Sequence, residues 1–346
     1  MRISNISTLS VSLALRSATN QLQHDLPRLQ TELVTGKYAD SGLSLGAESR
    51  KLAAFVGDID HVQQMIDTNE QVRTRLSITQ ESMSYLGELA DELVNAVAIV
   101  MGDQNQYPTA QQTASNAVAE IVSVLNTQVN GVFVFGGLNV DTRPISDYET
   151  GGGKAAFDNA FLLHFGFTKD DPNAALLTAA DIENFLTTQV DPLFMGAGWT
   201  ANMSSATDEV ITSRISAGVT AETSVSANET AFRKLTMASV VATELFDSNL
   251  NGDALLGVAD FVISQAGSAG GDLVKVRGQV GLVENRLERL NEELTAEKGL
   301  LETFASELVA VDSYDTSVEL NTLLTQIEIS YQITARIQSL SLMDYV

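Results

Sequence analysis

Two segments near opposite ends of the chain carry apolar residues at alternating steps of four and three. The upstream segment covers residues 72–100 with only Thr79 polar, and the downstream segment covers residues 276–311 with a polar gap at Glu297. This spacing is typical of a helix that buries one narrow apolar stripe against another helix. Because neither helix can shield its own stripe from water, we predict that the two helices pair within one subunit. We call the paired stripes the seam, and its predicted side chains are Val72, Leu76, Met83, Leu86, Leu93, Val97, Val100, Val283, Leu287, Leu290, Leu294, Leu301, Phe304 and Leu308.

Helical sequence fills most of both end regions. Residues 48–101 are predicted to form one long helix and residues 109–129 the next. Asn228 is suited to begin the returning helices, because an asparagine side chain accepts hydrogen bonds from the unpaired N–H groups of a first helical turn. A further helix is predicted at residues 254–265, followed by a flexible joint at the glycine-rich stretch Gly267–Gly271.

The middle of the chain has a different character. Residues 132–135 and 161–167 are apolar and β-prone, which predicts strands. Residues 210–225 are predicted to form a hairpin that turns at Ala217-Gly218, and residues 181–189 are predicted to form a short helix. These features indicate a strand- and loop-rich module inserted between helical arms.

The predicted fold class is mainly α, with a long antiparallel coiled-coil-like helical bundle from both chain ends and an inserted mixed α/β middle domain. Three domains are expected. Residues 1–45 with 315–346 form a terminal helical assembly domain, residues 46–129 with 228–314 form the helical bundle, and residues 130–227 form the insert.

Charge and composition exclude several classes of partner and site. The chain has 44 acidic and 20 basic residues, a net charge of −24, whereas phosphate-binding surfaces need clustered lysine and arginine. We therefore expect neither nucleic acid nor a membrane among its partners. The chain has no cysteine, which excludes disulfides, thiolate metal sites and thiol nucleophiles.

No residue pattern predicts catalysis. The three histidines, His24, His61 and His164, lie in unrelated contexts, and no nucleophile elbow or phosphate-binding loop is complete. Residues 247–252 match the start of a calcium-binding loop, but Val258 stands where such a loop needs a glutamate. We interpret this segment as an asparagine-rich turn that ends one helix and caps the next. No enzyme activity, metal or cofactor is expected.

The N-terminal sequence does not resemble a cleaved export signal. Met1-Arg2 is followed by polar, serine-rich sequence, and no run of about 18 apolar residues occurs anywhere in the chain. The expectation is a chain that is cytosolic, or exported by a route that needs no cleaved signal.

Both terminal segments, residues 1–34 and 318–346, carry apolar faces, and in the second the apolar residues are spread too widely for one partner helix. Pro27 predicts a kink or restart in the first segment, and residues 312–316 interrupt the phase between the seam and the second. One interpretation is a bundle closed within one subunit. The other, which we favour, is self-association through contacts that build a helical fibre. The predicted assembly and partner-binding residues are Ile3, Ile6, Leu9, Leu13, Leu22, Leu26, Leu29, Leu33, Leu320, Leu324, Ile327, Tyr331, Ile337 and Leu340.

Short motifs in both end regions resemble the bacterial flagellin superfamily. Met1–Ser4 opens the chain as in that family, Leu29–Lys37 resembles its L…L-x-[ST]-G-[KR] helix end, and Asn130–Gly137 resembles its N-G-x-Y-x-F-[AG]-G segment. The resemblance covers residues 1–137 and 228–346. The specific signal is the order of these motifs along the chain.

This resemblance implies terminal helices arranged in coaxial coiled-coil layers, with residues 1–34 and 318–346 lining the inner core and a variable middle domain facing outward. Within the superfamily two functions compete. Residues 135–145, 213–228 and 338–346 resemble the class of hook-associated protein 3, which joins the flagellar hook to the filament. The alternative is flagellin, the filament subunit.

The partners implied by the junction class are hook-associated protein 1, flagellin and further copies of the same chain in a ring or helical layer. The flagellar type III export apparatus and an export chaperone are also implied. The implied location is extracellular, in the bacterial flagellum, after export without a cleaved signal peptide.

Overall fold

The computed structural model describes residues 8–343, and for Thr8, Leu9, Ser12 and residues 337–343 it describes the backbone alone. Helices dominate, which confirms the predicted mainly α fold class. They are α1 (Thr8–Thr35), α2 (Ser41–Leu45), α3 (Ser49–Gly102), α4 (Tyr107–Leu125), α5 (Gly153–Phe165), α6 (Ala179–Phe185), α7 (Asp191–Phe194), α8 (Gly198–Asn202), α9 (Thr230–Leu245), α10 (Gly252–Val309) and α11 (Ser313–Met343). Two antiparallel ribbons of two strands each lie in the middle of the chain, formed by β1 (Gln128–Val129) with β2 (Val132–Phe133) and by β3 (Thr212–Ser216) with β4 (Val219–Glu222).

The chain divides into two compact units. The first comprises Met1–Gln64 and Leu294–Val346, and the second comprises Met65–Glu293. The division falls inside α3 and α10, so each of these helices contributes to both units. The three-domain scheme drawn from the sequence stays a prediction.

In the first unit, α1 packs antiparallel along α11. The Gln23 side-chain amide donates to the Tyr331 hydroxyl, and Lys37 forms an antiparallel bridge with Ala310. Helix α1 continues through Pro27, so the predicted restart does not occur. The packing against α11 outweighs the loss of one backbone hydrogen bond at the proline.

The segment that follows α1 pairs with the segment that precedes α11 through backbone hydrogen bonds. Gly36, at φ +67°, takes the left-handed conformation that suits glycine at the end of a helix. The Tyr38 N–H donates to the Val309 carbonyl at 2.9 Å, and the Val311 N–H donates to the Gly36 carbonyl at 3.0 Å. The break predicted at 312–316 is present but lies slightly earlier in the chain, at residues 310–312 between the end of α10 and the start of α11.

In the second unit, α3 and α10 lie antiparallel and bury the seam. The Gln80 amide donates to the Arg277 carbonyl at 2.8 Å. All seven predicted seam residues of α3 are buried, and Leu287 of α10 is fully buried as well. Thr79, the polar exception, is buried with its hydroxyl donating to the Arg75 carbonyl of its own helix. Helices α3 and α10 are therefore neighbours, and the pairing of their individual seam side chains stays a prediction.

Asn69 places a polar side chain in the same stripe, one heptad before Leu76. Its side chain is completely buried. The Asn69 Nδ2 group donates to Asn291 Oδ1 of α10 and to the Ile215 carbonyl of β3, both at 2.9 Å. Asn291 Nδ2 in turn donates to Glu70 Oε1 at 3.0 Å. One amide therefore joins α3, α10 and the β3–β4 ribbon, and it fits only one register of the helix pair.

The insert is more helical than its sequence suggests. The strand predicted at residues 161–167 is wrong, because α5 covers most of it. Phe157, Phe161 and Phe165 share one face of α5 and pack around Phe185 at centroid distances of 5.2–5.8 Å. Spacing by four places the three rings about 6 Å apart along one face of a helix, close enough to share one partner, whereas a strand would space them about 13 Å apart. The hairpin predicted around residue 218 is confirmed as β3–β4.

The flexible joint predicted at Gly267–Gly271 is also wrong, since α10 runs through it without interruption. Ala266, Ala269 and Leu273 are buried. The Lys234 ammonium of α9 bonds Asp272 at 2.7 Å. These tertiary contacts offset the low helix propensity of glycine.

Asn228 does not cap α9, contrary to the prediction, because Glu229 occupies that position. The Asn228 side chain is instead buried, where its Oδ1 accepts from Trp199 Nε1 at 2.8 Å and from the Ser204 hydroxyl at 2.6 Å. Its Nδ2 donates to the Ala206 carbonyl at 3.0 Å. Asn228 thereby joins α8 and the segment after it to the start of α9.

A buried carboxylate fastens the insert to α9. Glu244 is 2% exposed, Lys154 of α5 bonds both of its oxygens at 3.0 Å, and Lys169 bonds it as well. Burial opposes ionisation of Glu244, but the hydrogen bonds and charges of Lys169 and Lys154 outweigh it, so its pKa is lowered.

We expect Asn69→Ala to lower the free energy of unfolding by about 2 kcal/mol, because it leaves buried polar partners unsatisfied on two elements. Urea unfolding followed by circular dichroism measures this. Gln71→Ala, at a neighbouring exposed position, is the control. Equal free energies of unfolding for the two variants would show that the Asn69 side chain does not stabilise the fold.

We expect Glu244→Gln to destabilise the protein by about 3 kcal/mol at neutral pH, because it leaves two lysines facing a neutral partner. The pKa of Glu244 is lower in the folded chain than its ordinary value of 4.5. Its contribution is therefore present above that value and is lost as the pH falls through the folded value. Unfolding curves at several pH values should show the gap between wild type and Glu244→Gln closing on acidification. A gap that stays constant, or a similar loss for the exposed control Glu183→Gln, would contradict this role.

Candidate assembly surface

Helix α11 has two apolar faces rather than one. The first face lies against α1, where Leu323 is buried and Leu320 and Ile327 are half-buried. The second, which we call the outer face, carries Val318, Ile329 and Ile333 on the opposite side of the helix, all more than 40% exposed. A helix paired with only one partner needs a single apolar stripe. The outer face is therefore available for a further partner.

The outer face of α11 contains no charged side chain between Val318 and Ile333. The positions between its apolar residues hold Thr322 and Thr325, whose hydroxyls donate to the carbonyls of Val318 and Asn321 within the helix at 2.8 and 2.9 Å. These threonines thus present mainly their methyl groups. In a chain with a net charge of −24, an uncharged apolar strip of this kind favours close packing against another apolar surface.

Helix α1 shows a similar division. Leu29 is 1% exposed and lies on the side that packs on α11, with Leu22, Leu26 and Leu33 half-buried beside it. Leu13 is instead exposed. The buried Glu32 carboxylate accepts from Arg28 and from the Ala39 N–H, which ties the end of α1 to the turn after it. The inner stripe of α1 therefore serves packing within the subunit.

The residues predicted for assembly fall into three groups by exposure. Leu13, Leu324 and Tyr331 are exposed; Leu22, Leu26, Leu33, Leu320 and Ile327 are half-buried; and Leu29 is buried between α1 and α11. Ile3 and Ile6 lie outside the described residues, as do the side chains of Leu9, Ile337 and Leu340. The assembly role of all of them stays a prediction.

The predicted seam residues of α10 are buried to different degrees. Val283 and Leu290 in the second unit are half-buried. In the first unit Leu294 is buried and Leu301 and Leu308 are half-buried. Phe304 is 42% exposed, with its ring 6.1 Å from that of Phe55. The seam is thus less covered in the first unit than along α3 in the second.

Val318, Ile329 and Ile333 were not among the residues predicted for assembly. The signal was present in the sequence, because the three positions fall on one side of an ideal helix. Their exposure became evident only when the partner of the other side was known. Exposure distinguishes them from the side chains that α1 covers.

No catalytic or metal centre emerges in the part of the chain that the structure describes. Within residues 8–343, no group of three or more histidine or acidic side chains is arranged to hold a metal ion. The loop at 247–252 caps α10 instead, since Asn251 Oδ1 accepts from the Ala254 N–H at 3.0 Å. The described helices also include none long and apolar enough to cross a membrane.

Family models match both end regions of the chain. The model of the bacterial flagellin N-terminal helical region matches residues 6–140, and that of the bacterial flagellin C-terminal helical region matches residues 263–346. Together they cover more than half of the sequence. No curated protein matches the chain. A solved structure described as "putative flagellar hook-associated protein from Vibrio parahaemolyticus" is 13% identical, with a TM-score of 0.40, over 77% of this chain and 94% of that chain.

We expect the double substitution Ile329→Asp and Ile333→Asp to abolish self-association while leaving the monomer folded, because both side chains are exposed and a partner would have to bury the new charges. Sedimentation measures association, and circular dichroism measures folding. The control is Asn321→Asp with Gln332→Asp, which adds the same charge at exposed polar positions of α11. Assembly that survives the first pair, or is lost equally in both, would contradict a specific role of the outer face.

Proposed function

Because this chain belongs to the bacterial flagellin family and is a structural protein of the flagellum, we propose that it forms the junction between the flagellar hook and the filament. In this role its terminal helices pack with those of neighbouring copies. The outer face of α11 supports the proposal, since it is an uncharged apolar strip that its own subunit does not cover.

The observation that favours the junction over the filament is the packing of two segments that resemble the junction class. Residues 135–145 and 213–228 are far apart in sequence, yet the Ala227 N–H donates to the Phe135 carbonyl at 2.8 Å and Gly136 forms a bridge with Ser226. Phe135 also packs edge-on against Phe232 at 5.5 Å. The junction-like motifs thus form one piece of structure, as expected if they are inherited together.

The proposed neighbours follow from this position. One end of the subunit would contact hook-associated protein 1 and the other would contact flagellin, while copies of the chain contact each other in a ring or helical layer. The proposal includes export through the flagellar type III apparatus, with an export chaperone, to an extracellular site. No cofactor and no enzymatic step are involved.

The second candidate is flagellin itself, the filament subunit. The two family models favour it as much as the junction, because both describe flagellin helical regions. The two functions differ in what the chain does alone. A filament subunit polymerises into long fibres without help, whereas a junction protein adds a limited layer between two different neighbours.

The experiment is a pairwise binding assay of the full-length chain with purified hook-associated protein 1 and with flagellin, alongside sedimentation of the chain alone. Binding to both partners without long fibres is the result expected of a junction protein. Fibres formed by the chain alone would support the filament subunit. Failure to bind either partner and failure to assemble would contradict both candidates.

A further inference from the structure

The turn between β1 and β2 is an asparagine–glycine pair in an unusual conformation. Asn130 has φ +53° and Gly131 has φ +81°, so both take left-handed values. Two such residues in a two-residue loop match the sharp hairpin turn that asparagine–glycine pairs favour. Both residues are exposed. Asn130 is the only residue other than glycine with positive φ among those the structure describes.

The side chain of Asn130 makes no hydrogen bond within the described residues, so its amide faces solvent beside the N–H of Gly131. Glycine carries no Cβ, and a Cβ built on Gly131 would meet no atom within 4 Å. Gly131 therefore has neither a side chain nor a neighbouring atom at its Cβ position to crowd ring closure with Asn130. The ribbon that holds the turn is only two residue pairs long, so local opening is easy.

The other asparagine–glycine pair of the chain, Asn251–Gly252, provides an internal comparison. Asn251 Nδ2 donates to the Ala175 and Leu177 carbonyls at 2.9 and 2.6 Å, and its Oδ1 accepts from the Ala254 N–H at 3.0 Å. Its carboxamide is thus held on both sides while it caps α10. The two pairs have the same residues, but within the part of the chain that the structure describes the Asn130 side chain is free of hydrogen bonds, whereas the Asn251 side chain is held by three.

From this contrast we propose that Asn130 is a site of spontaneous, non-enzymatic deamidation. The deprotonated Gly131 nitrogen attacks Asn130 Cγ, a new N–C bond closes a five-membered succinimide, and the side-chain nitrogen leaves as ammonia. Water then opens the ring at either carbonyl. The products are aspartate at 130 or an isoaspartyl linkage, in which the backbone runs through the former side chain. No oxidant or cofactor is needed.

The modification has a structural consequence at the ribbon. An isoaspartyl linkage adds a methylene to the backbone, and both products add a negative charge. The two-residue turn depends on the backbone geometry of Asn130, so β1 and β2 should separate more readily. Val134 and Phe135 follow directly and are buried, and the Val134 N–H donates to the Thr127 carbonyl at 3.0 Å. We therefore expect faster amide exchange across residues 127–134.

The test is peptide mapping by mass spectrometry after the full-length protein has aged in mildly alkaline buffer. The protein is digested with pepsin at acid pH so that the digestion itself causes little deamidation, and ageing in heavy-oxygen water marks the sites that react. We expect Asn130 to react about tenfold faster than Asn251, since Asn251 must first break at least one hydrogen bond. In the denatured chain the two rates should become similar.

Two further results decide the chemistry. Cyclisation yields both aspartate and isoaspartate at 130. The control variant Asn130→Gly suits the left-handed turn but lacks the side-chain amide. On ageing it should show no mass change at 130 and no rise in amide exchange. Equal rates at Asn130 and Asn251 in the folded protein, or aspartate as the sole product, would overturn the proposal. The deamidation products and the amide exchange are both measured on the isolated chain, so their outcome does not depend on whether the chain binds the proposed junction partners.

Discussion

The pairing of α3 with α10 is the interaction on which the second unit depends. Their seam buries an almost continuous row of apolar side chains, and burial of this kind is the dominant favourable term in folding. Asn69 interrupts the row with a polar side chain, and its Nδ2 group has to be paired because an unsatisfied buried donor is costly. Its bonds to Asn291 and to the Ile215 carbonyl therefore select one register and place the β3–β4 ribbon on the same helices.

The rest of the second unit is fastened to this helix pair and α9 by a small number of buried polar groups. Asn228 connects α8 and the start of α9, and Glu244 connects the insert to the end of α9 through Lys154 and Lys169. Each of these groups is satisfied by partners distant in sequence. A strongly acidic chain thus uses its few lysines where a buried carboxylate needs them, and leaves the outer face of α11 uncharged.

The sequence predicted regular elements well where one periodic pattern decided the structure. The long helix at 48–101, the break before α11 and the β3–β4 hairpin all follow from local spacing and turn chemistry. Prediction from the sequence failed where contacts between residues distant in sequence determine the local structure. The glycines at 267–271 lie inside α10 because neighbours such as Ala269 are buried, and residues 161–165 are helical because Phe161 and Phe165 reach Phe185. The helix and strand propensities of these residues carry no information about either of these tertiary contacts.

The sequence by itself determined that two helices near the chain ends need partners, that the chain lacks the residues for thiolate chemistry, and that its motifs resemble flagellins. Only the tertiary structure decided which apolar side chains are already covered. Leu29 and Ile329 are equally apolar, but Leu29 is 1% exposed whereas Ile329 is 49% exposed. Helical periodicity fixes which residues share a face, whereas exposure depends on which element occupies the space beside it.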